Sequence, residues 1–403
     1  MKLTTASIAT LAAVTSALPQ VNHSTRADTA PRVEILSREY GTRIYKALSP
    51  LPKRAPGAQY FGVNIAGFDF GCGTDASSAS RELGNIHKLM RTQGTCVTTK
   101  VSPPLSALGG PDGPGQMSHF ANDLSMNIFR LPVGWQFLVN NQLGGTLDSN
   151  NLGQYDQLVQ ACLTTGATCV IDIHNYARWN GQIIGQGGPT DDEFADLWSQ
   201  LATKYATEDK IIFGLMNEPH DVPDIDAWAK SVQVAVTAIR QAETEASGSA
   251  HMILIPGNDW TSAAAFPTNS GPALLSVVNP DNSTTGLVFD VHKYSDSDNS
   301  GTHTDCTTDN ISTAFVPLAD WLRTNNRQAM NTEMGGGNTE SCERYVCDQI
   351  AYLNENADVY LGYVGWAAGS FDPQTYELSE VPTKNGDSWT DSSLIQACFK
   401  KAE

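Results

Sequence analysis

Long apolar runs are scarce in this 403-residue chain: beyond its first 17 residues nothing approaches the ~18 uninterrupted apolar side chains that a membrane-crossing helix needs, so no membrane partner is expected. Positive charge is also scarce, with 25 Lys+Arg against 43 Asp+Glu. Residues 1–54 hold 8 of those basic groups and 3 of the acidic ones, which leaves residues 55–403 with a formal charge of −23. Such a surface repels polyanions, and nucleic acid is excluded as a partner. Cysteine does not occur before Cys72. No cysteine pair has the close spacing of a zinc knuckle and no histidine pair has helical metal spacing, so neither a metal nor a cofactor is expected. A cysteine-rich module and a long Ser/Thr/Pro linker are missing between the N-terminal segment and the body of the chain.

What is present begins with a leader. Residues 1–17 have one early charge at Lys2, an apolar stretch through Ile8, Leu11 and Val14, and small residues Thr15, Ser16 and Ala17, the layout of a signal peptide. Residues 18–54 are basic, lack a clear hydrophobic period and end in Lys53-Arg54, which reads as a pro-segment cut at a dibasic site or as a flexible arm. The eight cysteines all lie in residues 55–403, and an even count behind a signal peptide favours disulfides, with 105 pairings open. Sequons at Asn282 and Asn310 fit the same secreted, extracellular route.

The body alternates short apolar runs with amphipathic segments. Strands are expected at 61–65, 128–133, 168–173, 211–216, 252–255, 287–291, 329–332 and 360–366, several of them apolar on both faces, as in a parallel sheet covered by helices. Thr190 and Glu193 form a capping box ahead of Phe194, Leu197, Trp198, Leu201 and Tyr205 at helical spacing. Another helix carries Leu152, Tyr155, Leu158, Val159 and Cys162 and stops at Gly166. Eight strands with intervening helices predict a single (β/α)8 TIM barrel over residues 55–403. A doubly wound open sheet is the alternative, but no glycine-rich phosphate fingerprint follows the first strand.

Chemistry in such a barrel gathers where the strands end, because those loops share one mouth. Polar groups recur there: Arg130 on the second strand, His174 and Asn175 after the third, Asn217 and Glu218 after the fourth, His292 and Tyr294 at the sixth, Glu333 at the seventh and Trp366 on the eighth. A lone histidine or glutamate at such a place is usually structural or solvated, but charge in so many strand ends needs pairing or a function. Carboxylates on strands four and seven would face each other across the mouth. A pair ~5–5.5 Å apart is what a retaining glycosidase needs, one group protonating the leaving oxygen while the other attacks the anomeric carbon.

The chain resembles glycoside hydrolase family five, in particular its fungal endo-β-1,4-glucanases. The likeness runs through Asn64-Ile65-Ala66-Gly67-Phe68-Asp69, Phe129-Arg130-Leu131-Pro132-Val133-Gly134-Trp135, Asp172-Ile173-His174-Asn175-Tyr176, Met216-Asn217-Glu218-Pro219-His220, Asp290-Val291-His292-Lys293-Tyr294 and Thr332-Glu333. The resemblance implies Glu218 as general acid/base and Glu333 as nucleophile, with Arg130, His174, Asn175, Asn217, His292, Tyr294 and Trp366 around them. Arg130 and the Tyr294 hydroxyl are expected to keep Glu333 ionised, while Glu218 needs a less cationic, buried setting to hold its proton. Trp179, Trp260 and Trp366 lie in loops or at strand ends and are candidate platforms for glucose rings, whereas Trp198, Trp228 and Trp321 sit in helical segments and should be core.

The expectation is therefore a monomeric enzyme acting on β-glucan polysaccharide. A mannanase, a β-1,3-glucanase and a catalytically inactive carbohydrate-binding barrel are the alternatives. One feature departs from the family pattern: residues 76–93 separate Cys72 from Cys96, and without them the flanks read as the family does. Such a segment is either a retained intron or a loop insertion with a short apolar face at Leu83, Ile86, Leu89 and Met90.

Overall fold

The computed structural model describes residues 57–72 and 94–399, together with the strand backbone at Val33–Glu39 and Thr42–Ala47. The chain divides into two units, Met1–Arg54 and Ala55–Glu403. In the first, the two strands pair antiparallel, from Val33 against Ala47 to Glu39 against Thr42. Sequence reasoning assigned no element there. Its β-branched positions, among them Val33, Ile35 and Ile44, are too few to give a strong alternating pattern.

In the second unit all eight expected strands occur: β1 (Tyr60–Ala66), β2 (Ile128–Val133), β3 (Thr168–Ile173), β4 (Ile211–Gly214), β5 (Met252–Pro256), β6 (Leu287–His292), β7 (Ala329–Met334) and β8 (Tyr360–Gly369). They close into one parallel barrel in the order β6-β7-β8-β1-β2-β3-β4-β5. The helices that follow them are α1 (Gly113–Asp123), α2 (Ser149–Thr164), α3 (Asp191–Tyr205), α4 (Ile225–Glu245), α5 (Gly271–Leu274), α6 (Val316–Thr324), α7 (Glu340–Glu355) and α8 (Ser393–Cys398).

Residue parity explains how one sequence makes both a core and a site. Ile128, Val170, Ile212, Leu254, Val288, Met330 and Val364 form one apolar cluster that fills the lower barrel. Two residues further along β2, β3 and β6 on the same face stand Arg130, Asp172 and Asp290, all buried. The period-two alternation of strands thus stacks a charged layer directly on an apolar one. The opposite faces pack under the helices. On α3 the Thr190 cap and Glu193 exchange bonds (Glu193 N donates to Thr190 Oγ1 at 3.1 Å, Thr190 N to Glu193 Oε2 at 2.7 Å), which satisfies two end donors. Phe194, Leu197, Trp198, Leu201 and Tyr205 are buried, each contributing roughly 1.5–3 kcal/mol by area. Trp198 and Trp228 are core, each with its indole N–H on a backbone carbonyl, of Leu215 and Pro256 respectively. Trp321 is half-buried against Phe266 and Phe289.

Four disulfides join Cys72–Cys96, Cys162–Cys169, Cys306–Cys342 and Cys347–Cys398. The 76–93 segment lies outside the described residues. Its flanks are held together by the first bridge and by Val97 N donating to Gly71 O at 2.8 Å. Of the two body sequons, Asn282 is exposed. Asn310 is buried and donates its Nδ2 to Tyr294 O at 2.8 Å, so the folded chain does not offer it for glycosylation.

Candidate active site

Arg130 anchors the site from β2. Its guanidinium is fully buried and donates Nη1 to Glu333 Oε1 (2.6 Å) and Asn64 Oδ1 (2.9 Å), and Nη2 to Asn217 Oδ1 (2.6 Å), with Asp172 Oδ1 3.0 Å from Nη2. Asn64 is itself fixed by Nδ2 bonds to Thr332 O and Gly365 O. Planar, multidentate arginine suits this role because five donors in a rigid plane hold several acceptors at once.

Glu333 reaches the mouth through an irregularity. Alternation along β7 turns Met330 and Thr332 inward, and Glu333 should point out. The register slips on both sides, between Val291 and His292 on β6 and between Asn331 and Met334 on β7, so His292 pairs with Glu333. A bulge re-aims a side chain in this way. Glu333 Oε2 accepts from the Tyr294 hydroxyl at 2.8 Å. Burial would raise its pKa, but His292, Arg130, His174 and the Tyr294 bond together hold it below the usual value.

Glu218 follows β4 with φ +41, in the left-handed region, a conformation that costs roughly 1–3 kcal/mol and turns the carboxyl across the mouth. Its Oε1 lies 2.8 Å from His292 Nδ1. Burial raises its pKa. The His292 bond opposes this and the Glu333 charge adds to it, leaving Glu218 above its usual value. A carboxylate oxygen of each glutamate and a ring nitrogen of His292 all lie within 4.8 Å of one another. His292 is raised as well: burial opposes, while Glu333, Glu218 and Asp290 favour the cation.

The other expected residues differ in what they can do. His174 is oriented by Asp172 (Nδ1 to Oδ2, 2.8 Å) and stacks on Trp366, centroids 5.4 Å apart at 13°. Trp366 is half-buried and donates Nε1 to Tyr376 OH, which stacks on Phe371 at 3.8 Å. Asn217 has its Oδ1 taken by Arg130 and its Nδ2 without a partner. Asn175 is committed to structure: its Oδ1 accepts from Trp135 N, and its Nδ2 donates to Gln136 Oε1 and Arg178 O, which leaves little for a ligand. Trp179 is 8% exposed and sits edge-on to Trp135, so it presents no open ring face. Trp260 is 44% exposed and lies flat on His220, centroids 4.6 Å apart at 4°. Its loop is strained, with Asp259, Trp260 and Thr261 all at φ of +48 to +57.

Sequence reasoning placed Asn64, Asp172, Asp290, Thr332 and His220 in the family motifs without giving them a role, and it missed Tyr376. Parity along β2, β3 and β6 would have found the two aspartates. Two groups among the described residues have the spacing to hold a metal ion, Glu218–His292–Glu333 and Asp296–Asp298–His303. In the second, the Asp296 carboxylate already accepts from Ser300 Oγ and the backbone N–H of Gly301, Thr302 and His303.

Two opposed carboxyls with opposite pKa shifts in a barrel mouth are the equipment of glycoside cleavage. Residues 93–370 match the cellulase model of glycosyl hydrolase family 5. The chain belongs to that family. It is 60% identical to endoglucanase EG-II of Hypocrea jecorina over 350 residues, 86% of this chain and 78% of the relative. It is 45% identical to the manganese dependent endoglucanase Eg5A of Phanerodontia chrysosporium, over 85% and 81%. Among solved structures, Cel5A (EG2) of Hypocrea jecorina superposes with a TM-score of 0.78 at 60% identity, over 85% of this chain and 99% of that one. XacCel5A in complex with cellopentaose gives 0.68 at 28% identity, over 84% and 98%. The family-5 fold therefore extends over the barrel unit, as its eight strands already indicated.

Proposed function

We propose that this family-5 hydrolase is an endo-β-1,4-glucanase that cuts internal bonds of cellulose and related β-glucans with retention. The observation that carries the reading is the Glu218–Glu333 pair, with oxygens within 4.8 Å, one carboxyl raised and the other lowered in pKa. That spacing is close to the ~5–5.5 Å of a retaining pair and short of the ~6.5–9.5 Å of an inverting pair, which suits a double displacement. In the first step ionised Glu333 forms a bond to the anomeric carbon, the bond to the leaving oxygen breaks, and that oxygen takes the Glu218 proton. In the second step Glu218 accepts a proton from water, the water oxygen bonds to the anomeric carbon, and the Glu333 ester breaks. As charge builds at that carbon, the unpaired Asn217 Nδ2 is the donor for the sugar 2-hydroxyl.

Trp260, backed by His220, and Trp366, backed by His174, supply flat faces for glucose rings. The chain acts as a monomer outside the cell, after loss of residues 1–17 and of residues 18–54 at Lys53-Arg54. Four disulfides and an exposed sequon at Asn282 support that location. Parallel reducing-sugar assays on carboxymethyl cellulose, mannan and laminarin test the substrate: highest kcat/KM is expected on the first, and preference for either of the others overturns the assignment.

A further inference from the structure

His292 bridges the two carboxyls, and a chain of hydrogen bonds behind it settles which of its nitrogens carries a permanent proton. Thr332 Oγ1 donates its only hydrogen to Asp290 Oδ1, and the same oxygen lies 2.9 Å from His292 Nε2. A hydroxyl whose proton is committed can only accept from a second neighbour. The Nε2 atom must therefore be the donor, and Nδ1, 2.8 Å from Glu218 Oε1, is the atom that gains and loses a proton. Thr332 and His292 are both buried, so water does not offer a ready substitute for this bond.

We propose that Thr332 is a positioning residue for catalysis: by giving its proton to Asp290 it holds His292 as the Nε2–H tautomer, so that Nδ1 is the nitrogen that gains and loses a proton beside Glu218. This rests on the reading of Glu218 as the acid/base. With His292 cationic, Nδ1–H donates to Glu218 Oε1, leaving the other carboxyl oxygen to carry the proton toward the leaving group. After that proton has gone, the same cation faces the Glu218 carboxylate and stabilises it until water arrives. The charged groups around the pair are Glu333 on β7, Asp290 on β6, His174 after β3 and, through Glu333, Arg130 on β2. Asp290 is pushed up to about 6 by burial, against His292 and Arg130, so the relay is set in the direction given above that pH. Its alkaline behaviour is therefore the place to test it.

Thr332→Val keeps the side-chain shape and removes the hydroxyl. Every state with a proton on Nε2 then loses a buried acceptor, whereas neutral His292 can move its proton to Nδ1 and escape that loss, so the neutral ring gains over the cation. The alkaline limb of kcat/KM, which reports the coupled pair, should fall by about 1–2 pH units. Thr332→Ser restores the hydroxyl and should keep the wild-type limb. Asp290→Asn removes the charge that favours the His292 cation and should also move the limb down, which keeps the test open if the valine variant does not fold. Long-range proton–nitrogen NMR of the resting enzyme, with His292 assigned by difference from His292→Asn, should show neutral His292 protonated at Nε2. A valine variant, or failing that Asp290→Asn, that loses kcat/KM equally at all pH values with an unmoved limb overturns the proposal. So does a neutral wild-type His292 protonated at Nδ1. The NMR readout does not involve substrate, so it stands or falls separately from Glu218: activity surviving in Glu218→Gln would sink the acid/base reading and leave the tautomer measurement intact.

Discussion

Replacing Arg130 with methionine tests how the barrel keeps buried Glu333, the proposed nucleophile, ionised. Arg130 is wholly inside the protein and sits 2.6 Å from one Glu333 oxygen and 3.0 Å from Asp172. At an effective dielectric of ~20, opposite charges at that separation attract by about 6 kcal/mol before desolvation is counted, and removing such a neighbour raises a carboxyl pKa by about 1–3 units. His292, His174 and the Tyr294 hydroxyl remain, so a shift of about 2 units is expected for Glu333. The proposed mechanism needs Glu333 charged, so the acid limb of kcat/KM on soluble glucan should move up by that amount, with activity below the new limb falling about tenfold per pH unit. Stability changes with it. A carboxyl held below its unfolded pKa contributes stability above that pKa and loses it as pH falls through the folded value, and in the variant this contribution disappears. Leaving Glu333 and Asp172 without their cation should cost about 3–5 kcal/mol at neutral pH, read from urea unfolding. A folded variant with an unmoved acid limb and a loss below ~1 kcal/mol would refute this account.

Two further outcomes follow from groups away from the chemistry. Glu380 is fully buried with neither carboxyl oxygen hydrogen-bonded, and burial lifts its pKa well above the usual value. An acid raised in the folded state binds more protons folded than unfolded, so stability falls as pH rises past ~4.3, by about 1.4 kcal/mol per unit until the folded pKa is reached. Glu380→Leu should remove that slope and be the more stable protein at pH 7; an equal pH slope in both proteins would count against it. Deleting residues 76–93 should preserve folding and activity, because Cys72–Cys96 and the Val97–Gly71 bond already close their flanks. Loss of folding on deletion would show that the segment is needed by the barrel, and transcript sequencing separates an insertion from a retained intron.

The barrel was legible because parallel strands covered on both sides are apolar runs, and all eight appear with ends shifted by at most a few residues. The proposed catalytic pair was legible as residue types at strand ends. Its geometry was not, since Glu333 depends on a register slip and Glu218 on a left-handed backbone angle, neither of which leaves a mark in residue pattern. Tryptophan exposure was equally hidden: Trp179 and Trp260 both lie in loops, yet one packs against Trp135 and the other lies open on His220. Asn175 shows the same limit, a strand-end amide whose hydrogen bonds go to its own scaffold.

The roles of the two glutamates are tested most directly by the anomeric configuration of the azide product formed by variants lacking one carboxyl. In Glu333→Ala, azide takes the place of the missing nucleophile beside intact Glu218 and attacks once, so the product should be the α-glycosyl azide. In Glu218→Ala the covalent intermediate on Glu333 still forms and azide displaces it, so the product should be the β-azide. The reverse pair of products, read by proton NMR, would contradict the assignment of Glu333 as nucleophile and Glu218 as acid/base.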